Sequence, residues 1–343
     1  MSEERWPVLV TRRLPQPAMD KIAERSDITL HEGEFAMPRD ELLKAVSGKL
    51  GAVTLLTDKV DDEFLDAAGS QLVIVANYAV GFDNIDVDAC TRRGVMCSNT
   101  PEVLTETTAD TAFALIMAAA RRIAEGDRFL RGRKGWVWGP MMMLGQDIHH
   151  KTLGIVGFGR IGYALARRAR GFGMRVLYFD VYRPSPELEQ EVGAEYRDLD
   201  ALLAESDFVS LHTNLTEETR HLINAERLRA MKPTAVLVNT SRGPIIDEAA
   251  LAEALRDGVI FAAGLDVFER EPEIHPALLE LDNVVVIPHL GSATVDTRIA
   301  MGMLAADNLV QALAGRKPPT LLNPETWERI SAARRSDSRR DAP

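Results

Sequence analysis

Short runs of Val, Ile and Leu alternate with polar–apolar segments of helical period along almost the whole chain. In the first third the apolar runs are VLVT near Val8, DITLH near Ile28, AVTLL near Val53, LVIVAN near Val73 and GVMCSN near Val95. Segments such as AMDKIAERS and DELLKAVS lie between them. Alternation of this kind predicts parallel strands joined by crossover helices. The middle of the chain repeats the pattern more strongly, with candidate strands TLGIVG, MRVLYFD, DFVSLH, TAVLVNT, FAAGLDV and NVVVIPH. Helical segments RIGYALARRARGF, DLDALLAES, AERLRAM and DEAALAEALRDG separate them. Runs this rich in Val, Ile and Leu fit a sheet buried on both faces. Six such strands fit two mononucleotide-binding halves.

Two long helices are expected to bracket the middle block. One runs from about Pro101 to Arg122, with Thr100 as N-cap and Pro101 at the first helical position, where its missing donor costs nothing. The other runs from about Ser292 to Ala314 and stops at Gly315, with Pro318 and Pro319 beyond. The expected fold class is therefore α/β, with two doubly wound parallel-sheet domains. Residues 1–101 and 292–330 make the outer domain, residues 102–291 are inserted in it, and the small, polar, basic stretch 331–343 is expected to be disordered.

Length agrees: 343 residues make about two domains at roughly 150 residues each. Forty Lys and Arg against 51 Asp and Glu give a net charge of −11, a surface that repels phosphate backbones, so no nucleic-acid partner is expected. The two cysteines, Cys90 and Cys97, form no disulfide framework, which fits a reducing compartment. The N-terminus MSEERWPVLV has no signal-peptide pattern, and the apolar run Ala112 to Ala120 is too short to span a membrane. The reading is a soluble cytoplasmic protein with no membrane partner and no metal site.

The segment KTLGIVGFGRIGYALARRARGFGMRVLYFD carries G-x-G-x-x-G at Gly157, Gly159 and Gly162. The motif follows a strand, opens a helix, and is followed by a second strand ending in Asp180, the full context of a dinucleotide site. Gly157 allows the tight turn, Gly159 lets the backbone approach a pyrophosphate, and Gly162 permits close helix–strand packing. Arg160 and Ile161 offer backbone N–H groups at the helix N-terminus. Asp180 suits ribose hydroxyls and repels a 2′-phosphate, so NAD(H) is favoured, with NADP(H) possible because Arg183 lies close by. The competing reading is a tight αβ turn that binds nothing.

A dinucleotide enzyme that moves hydride to a carbonyl needs a cation for the substrate, a proton carrier and a group that tunes it. Of seven histidines, two follow strands at the carboxyl edge where such sheets bind ligands, His212 after DFVSL and His289 after VVVIP. His289, beside Gly291 and Ser292, is placed at the expected domain junction and is preferred. Arg242, in VNTSRGPIID, follows a buried strand on a sharp turn and is the arginine candidate for a bidentate carboxylate clamp. Thr240, Ser241 and Gly291, in the same two turns, are further cofactor-binding candidates. Glu269, Glu271 and Glu273 compete as the acid, and periodicity does not choose among them. Asp266 either meets the nicotinamide carboxamide or closes its strand.

Together GFGRIG with Asp180, NTSRG, LDVFEREPE and PHLGSAT, in this order, resemble the D-isomer-specific 2-hydroxyacid dehydrogenase family, and the resemblance runs from about Val8 to Asn323. It implies a Rossmann NAD-binding domain inserted in a flavodoxin-like substrate domain. It also implies catalysis by Arg242, by Glu271 before Pro272, and by His289, with the Glu271 carboxylate favouring the imidazolium that protonates the developing alkoxide. Backbone N–H groups of Val80 and Gly81, in NYAVGFDNID, are the implied substrate-carboxylate donors. The segments NYAVGFDNIDV, NTPEVLTETTAD and KGWVWGPMMMLGQD look most like the glyoxylate/hydroxypyruvate reductase branch. That branch implies a homodimer in which a tryptophan reaches the partner's site, here Trp138, with Trp136 second. His149-His150 and Asn214 depart from the family pattern, and Asp180 is more typical of NAD-preferring members. Phosphoglycerate dehydrogenase and 2-ketogluconate reductase activities share the same residues, and an NAD(H)-sensing corepressor is the alternative of a different class.

Overall fold

The computed structural model describes residues 5–33, 35–132 and 135–340, with side chains through residue 333. The chain divides into two compact units, residues 1–104 with 294–343, and residues 105–293. The expected boundaries at 101/102 and 291/292 lie within three residues of this division.

The first unit opens with β1 (Trp6–Val10), α1 (Gln16–Ala23), β2 (Ser26–Leu30), α2 (Arg39–Val46), β3 (Gly51–Thr54), α3 (Asp62–Ala68), β4 (Ile74–Asn77), α4 (Val87–Arg93) and β5 (Met96–Ser98). All five strands are parallel, in the order β2-β1-β3-β4-β5, the flavodoxin-like arrangement. The central strands β3 and β4 are buried at every position, whereas edge strand β2 alternates, which is the difference between a strand covered on both faces and one covered on a single face. Asp61 and Asp86 cap α3 and α4 by accepting the N–H of Phe64 and Ala89.

The second unit contains α5 (Thr105–Ala120), α6 (Ile123–Gly132), β6 (Thr152–Val156), α7 (Arg160–Arg170), β7 (Arg175–Phe179), α8 (Pro186–Val192), β8 (Ala194–Tyr196), α9 (Leu199–Glu205), β9 (Phe208–Leu211), α10 (Ala225–Ala230), β10 (Val236–Asn239), α11 (Glu248–Arg256), β11 (Ala262–Leu265), α12 (Pro276–Leu279) and β12 (Val284–Val286). Its parallel sheet runs β12-β11-β10-β9-β6-β7-β8, so the order reverses between β6 and β9. One face packs Ala112, Ile116, Leu165 and Ala166 on Leu153, Ile155, Val236 and Val238. The other packs Leu202, Leu203, Leu251 and Leu255 on Val156, Leu211, Leu237 and Leu265. Each fully buried Val, Leu or Ile side chain contributes about 1.5–3 kcal/mol. The apolar pattern predicts six strands; the seventh, β8, is a three-residue edge strand, AEY, with too few apolar positions to mark it.

The chain then returns to the first unit with α13 (Val295–Leu313) and α14 (Pro324–Arg340). Gly302 lets α13 approach α1, since a Cβ there would lie 2.9 Å from that of Ala18. One expectation is corrected. The first bracketing helix begins at Thr105 and not near Pro101, because Glu102 takes a left-handed φ of 71° that no helix continues through. The second helix of this return, α14, is anchored at its start by Asn323.

Asn323 is 1% exposed; its Oδ1 accepts the N–H of Cys97 at 3.0 Å and its Nδ2 donates to Val95 O at 2.9 Å and to Thr91 Oγ1 at 3.0 Å. Asn323→Ala leaves the buried Cys97 N–H of β5 and the Val95 carbonyl just before it without these partners, a cost of about 1–3 kcal/mol. Thermal unfolding of that variant should show a lower midpoint than wild type; an unchanged midpoint would mean that the Asn323 bonds do not hold the helix.

Candidate active site

The three glycines of the motif behave as three different parts. Gly157 has φ 92°, and a Cβ there would lie 2.6 Å from the carbonyl group of His212. Gly162 sits under α7, where a Cβ would lie 2.3 Å from Gly157 O. At Gly159 a Cβ would meet no atom within 4 Å, so the loop faces a space that a side chain would fill. Gly159 is the N-cap of α7 and supplies no side chain to its amides, leaving the N-terminus around Arg160 and Ile161 suited to an anion. Phe158, between the glycines, stacks on Tyr178 with ring centroids 4.3 Å apart.

Asp180 follows β7 with its carboxylate fixed by the backbone: Oδ2 accepts Phe158 N–H at 2.6 Å and Oδ1 accepts Tyr182 N–H at 2.9 Å. The carboxylate is thus held against the glycine loop, where a ribose diol would lie. Arg183 is turned to other partners, its guanidinium 4.4 Å above the Tyr196 ring and 3.6 Å from Glu189. Thr240 Oγ1 is buried without a hydrogen-bond partner in the structure, a polar atom that a ligand would satisfy. Ser241 uses both its N–H and its hydroxyl on Asn239 Oδ1, at 3.0 and 2.9 Å. The open loop, the fixed Asp180 and the orphaned Thr240 hydroxyl fit a dinucleotide.

At the carboxyl end of β10, Asn239 Nδ2 donates to Arg242 O at 2.9 Å and shapes the turn that carries Arg242. A Cβ on the next residue, Gly243, would lie 1.8 Å from the carbonyl carbon of Phe268. The arginine turn therefore rests directly on the backbone that leads to the glutamates. Among these, Glu271 is the one that meets His289. Its Oε1 accepts Phe268 N–H at 3.0 Å, and its Oε2 lies 3.0 Å from His289 Nδ1. A carboxylate only accepts, so Nδ1 carries the hydrogen toward Glu271, and Nε2 is the ring nitrogen not engaged by that carboxylate. Burial opposes the Glu271 charge, yet the His289 bond and charge, the Phe268 N–H and the Arg242 charge together hold its carboxyl below the usual range.

His289 has φ 52°, a strained conformation for this residue type. Asp266 holds it there: its carbonyl accepts His289 N–H at 2.9 Å, and its carboxylate accepts Leu290 N–H at 2.5 Å and Gly291 N–H at 2.8 Å. Burial pushes the Asp266 carboxyl up, against these donors and the His289 charge. His212, the rival histidine, is pushed down to about 3 by burial and is turned to Ser210 Oγ at 2.8 Å, so it is a neutral structural group. Sequence reasoning alone misses His221, whose Nε2 lies 2.9 Å from Glu269 Oε1, and Glu248, which is 5% exposed. Both sit in segments of ordinary polar composition, with no local signal.

In the first unit, Asn99 Nδ2 donates to Val80 O at 2.8 Å and Asn77 Nδ2 to Gly81 O at 3.1 Å. These bonds turn the two carbonyls inward, and no protein acceptor takes the N–H of Val80 or Gly81 among the described residues. Trp138 is 74% exposed and Trp136 is 55% exposed, in the second unit.

The family model for the D-isomer specific 2-hydroxyacid dehydrogenase NAD-binding domain matches residues 113–291. A glyoxylate reductase of Korarchaeum cryptofilum is 54% identical over 321 residues, 93% of this chain and 96% of that one. A crystal structure of a protein from Thermus thermophilus superimposes with a TM-score of 0.86 at 45% identity, covering 92% of this chain and 99% of that one. The NADPH-dependent glyoxylate/hydroxypyruvate reductase of Sinorhizobium meliloti, solved with NADP and malonate, gives 0.79 at 32% identity, covering 93% and 97%. The chain belongs to the D-isomer specific 2-hydroxyacid dehydrogenase family of oxidoreductases.

Proposed function

We propose that the enzyme reduces small 2-keto acids, glyoxylate and hydroxypyruvate, to the corresponding 2-hydroxy acids, with NADH preferred over NADPH. The observation that carries the chemistry is the 3.0 Å pair of Glu271 and His289, joined by its backbone to the turn of Arg242. Names of relatives at about half identity support the substrate class. NADH, when bound, supplies the hydride. Gly157, Gly159 and Gly162 with the first amides of α7, Asp180, Thr240 and Gly291 are the residues that would hold it. Arg242 clamps the substrate carboxylate and polarises the carbonyl. As the carbonyl carbon is reduced, its π pair moves to oxygen, and His289 Nε2 delivers a proton there. Glu271 keeps the imidazole oriented and stabilises its positive charge until the proton leaves.

The unit containing residues 105–293 is the cofactor domain in this reading, and the other is the substrate domain. Among the described residues no helix is long and apolar enough to cross a membrane. Two free buried cysteines suit a reducing cytoplasm. We assign a homodimer to the second unit: α6 buries none of its residues, and Ile123, Leu130, Trp136, Val137, Trp138, Met141 and Leu144 are all more than half exposed.

Turnover of glyoxylate, hydroxypyruvate, phosphohydroxypyruvate and 2-ketogluconate with NADH and NADPH tests the substrate. The first two should react fastest, and with NADH. Preference for the phosphorylated or six-carbon acid would replace the substrate assignment, and no turnover at all would favour a nucleotide-sensing role.

His289→Ala should lower kcat by about 10²–10⁴-fold. Because the Glu271 carboxyl is held low, its charge persists as pH falls through the ordinary carboxylate range, and it is lost only below that range. Titration of Glu271 should therefore add no acid-side fall in the reductive kcat above about pH 4.5. A fall centred above that which Glu271→Gln abolishes, in protein still folded by circular dichroism, contradicts the ionised Glu271.

Light scattering should give twice the chain mass. Trp138→Ala should keep that mass and raise kcat/KM for larger keto acids relative to glyoxylate; an unchanged ratio removes Trp138 from the substrate pocket.

A further inference from the structure

We propose that Glu248 is a positioning residue for catalysis: it ties down both ends of the loop that carries Glu271 and so sets the Glu271–His289 pair. The proposal rests on the catalytic assignment made above. Glu248 is the first residue of α11 and is 5% exposed. Its Oε1 accepts the N–H of Glu269 at 2.5 Å, two residues before Glu271, and its Oε2 accepts the N–H of His275 at 3.3 Å, four residues after it. One carboxylate thus spans residues 269–275, while Glu271 points to His289 from between the two anchors.

The anchoring is reciprocal. Glu269 Oε2 accepts the N–H of Glu248 at 3.4 Å, one of the α11 amides that lack an intrahelical acceptor. Glu269 Oε1 bonds His221, whose own N–H donates to Pro244 O at 2.8 Å, in the turn just after Arg242. His221 takes a left-handed φ of 50° to make both contacts. The turn of Arg242 and the loop of Glu271 are therefore fastened to the same helix start. Burial pushes the Glu248 carboxyl up, and the nearby Glu269 charge adds to this; the N–H groups of Glu269 and His275 and the His275 ring oppose it. A buried acid with these donors has no surface role, since an exposed charge would serve the helix end equally well. Its burial is accounted for by what it holds.

A double-mutant cycle separates positioning from general stability. The four proteins are wild type, Glu248→Ala, Glu271→Gln and the double variant, compared by kcat at saturating NADH and the best keto acid, corrected for folded fraction. Glu248→Ala should lose about 10- to 100-fold in kcat, the usual cost of misplacing a catalytic group by about an ångström. In the Glu271→Gln background the same change should alter kcat by no more than about twofold, because the group it positions is already gone. Multiplying losses would overturn the proposal and leave Glu248 as a packing residue. If Glu271→Gln retains wild-type kcat, the catalytic assignment itself fails and the positioning role goes with it. Should Glu248→Ala not fold, Glu248→Gln serves: it keeps an acceptor for Glu269 and loses the one for His275. Its smaller loss should vanish in the Glu271→Gln background in the same way.

Discussion

The site depends on a backbone constraint more than on any side chain that reacts. Where a parallel strand ends, the chain must turn, and its N–H groups leave the sheet without acceptors. Asp266, 1% exposed just after β11, collects three of them in succession from His289, Leu290 and Gly291. That is what keeps His289 in a left-handed conformation and aims its ring at Glu271. Glu248 does the same for the loop that approaches from the other side. Two buried acids, Asp266 and Glu248, thus accept backbone amides, and the Glu271–His289 pair lies between the two turns they hold. Preorganisation of this kind is what lets a modest hydrogen bond contribute fully at the moment of proton transfer.

The glycines serve the same end by permitting backbone contact. Gly157, Gly162 and Gly243 each stand where a Cβ would overlap main-chain atoms, of His212, of Gly157 and of Phe268 respectively. Gly159 differs: its missing side chain leaves open space at the start of α7. Three of the four bring backbone against backbone, and the fourth leaves the start of α7 open.

Much of this is legible in the sequence, and the limits have physical causes. The central strands of both units announce themselves because a strand buried on both faces must be continuously apolar, and the edge strand β2 is marked by its alternation instead. β8 does not, since an edge strand of three residues needs no such run. The sequence starts the bracketing helix too early because Thr100-Pro101 is a good capping pair in isolation, whereas Thr100 N–H in fact donates to Ala79 O and Glu102 turns left-handed. His289 is separable from His212 by its place after a strand and before a helix, and burial of His212 explains the difference in role.

The glutamates of LDVFEREPE show where local sequence stops being informative. Glu269 and Glu271 are two residues apart, carry the same chemistry and each pair with a histidine, His221 and His289, at 2.9 and 3.0 Å. Glu273 is exposed. Nothing within the segment distinguishes the first two, because the distinction lies in partners 48 and 18 residues away. Glu269 faces the start of α11, where its charge satisfies a helix amide; Glu271 faces the turn held by Asp266, where its charge meets an imidazole. Which partner each acid meets is decided by the loops that its neighbours are fastened to, and that is a property of the fold.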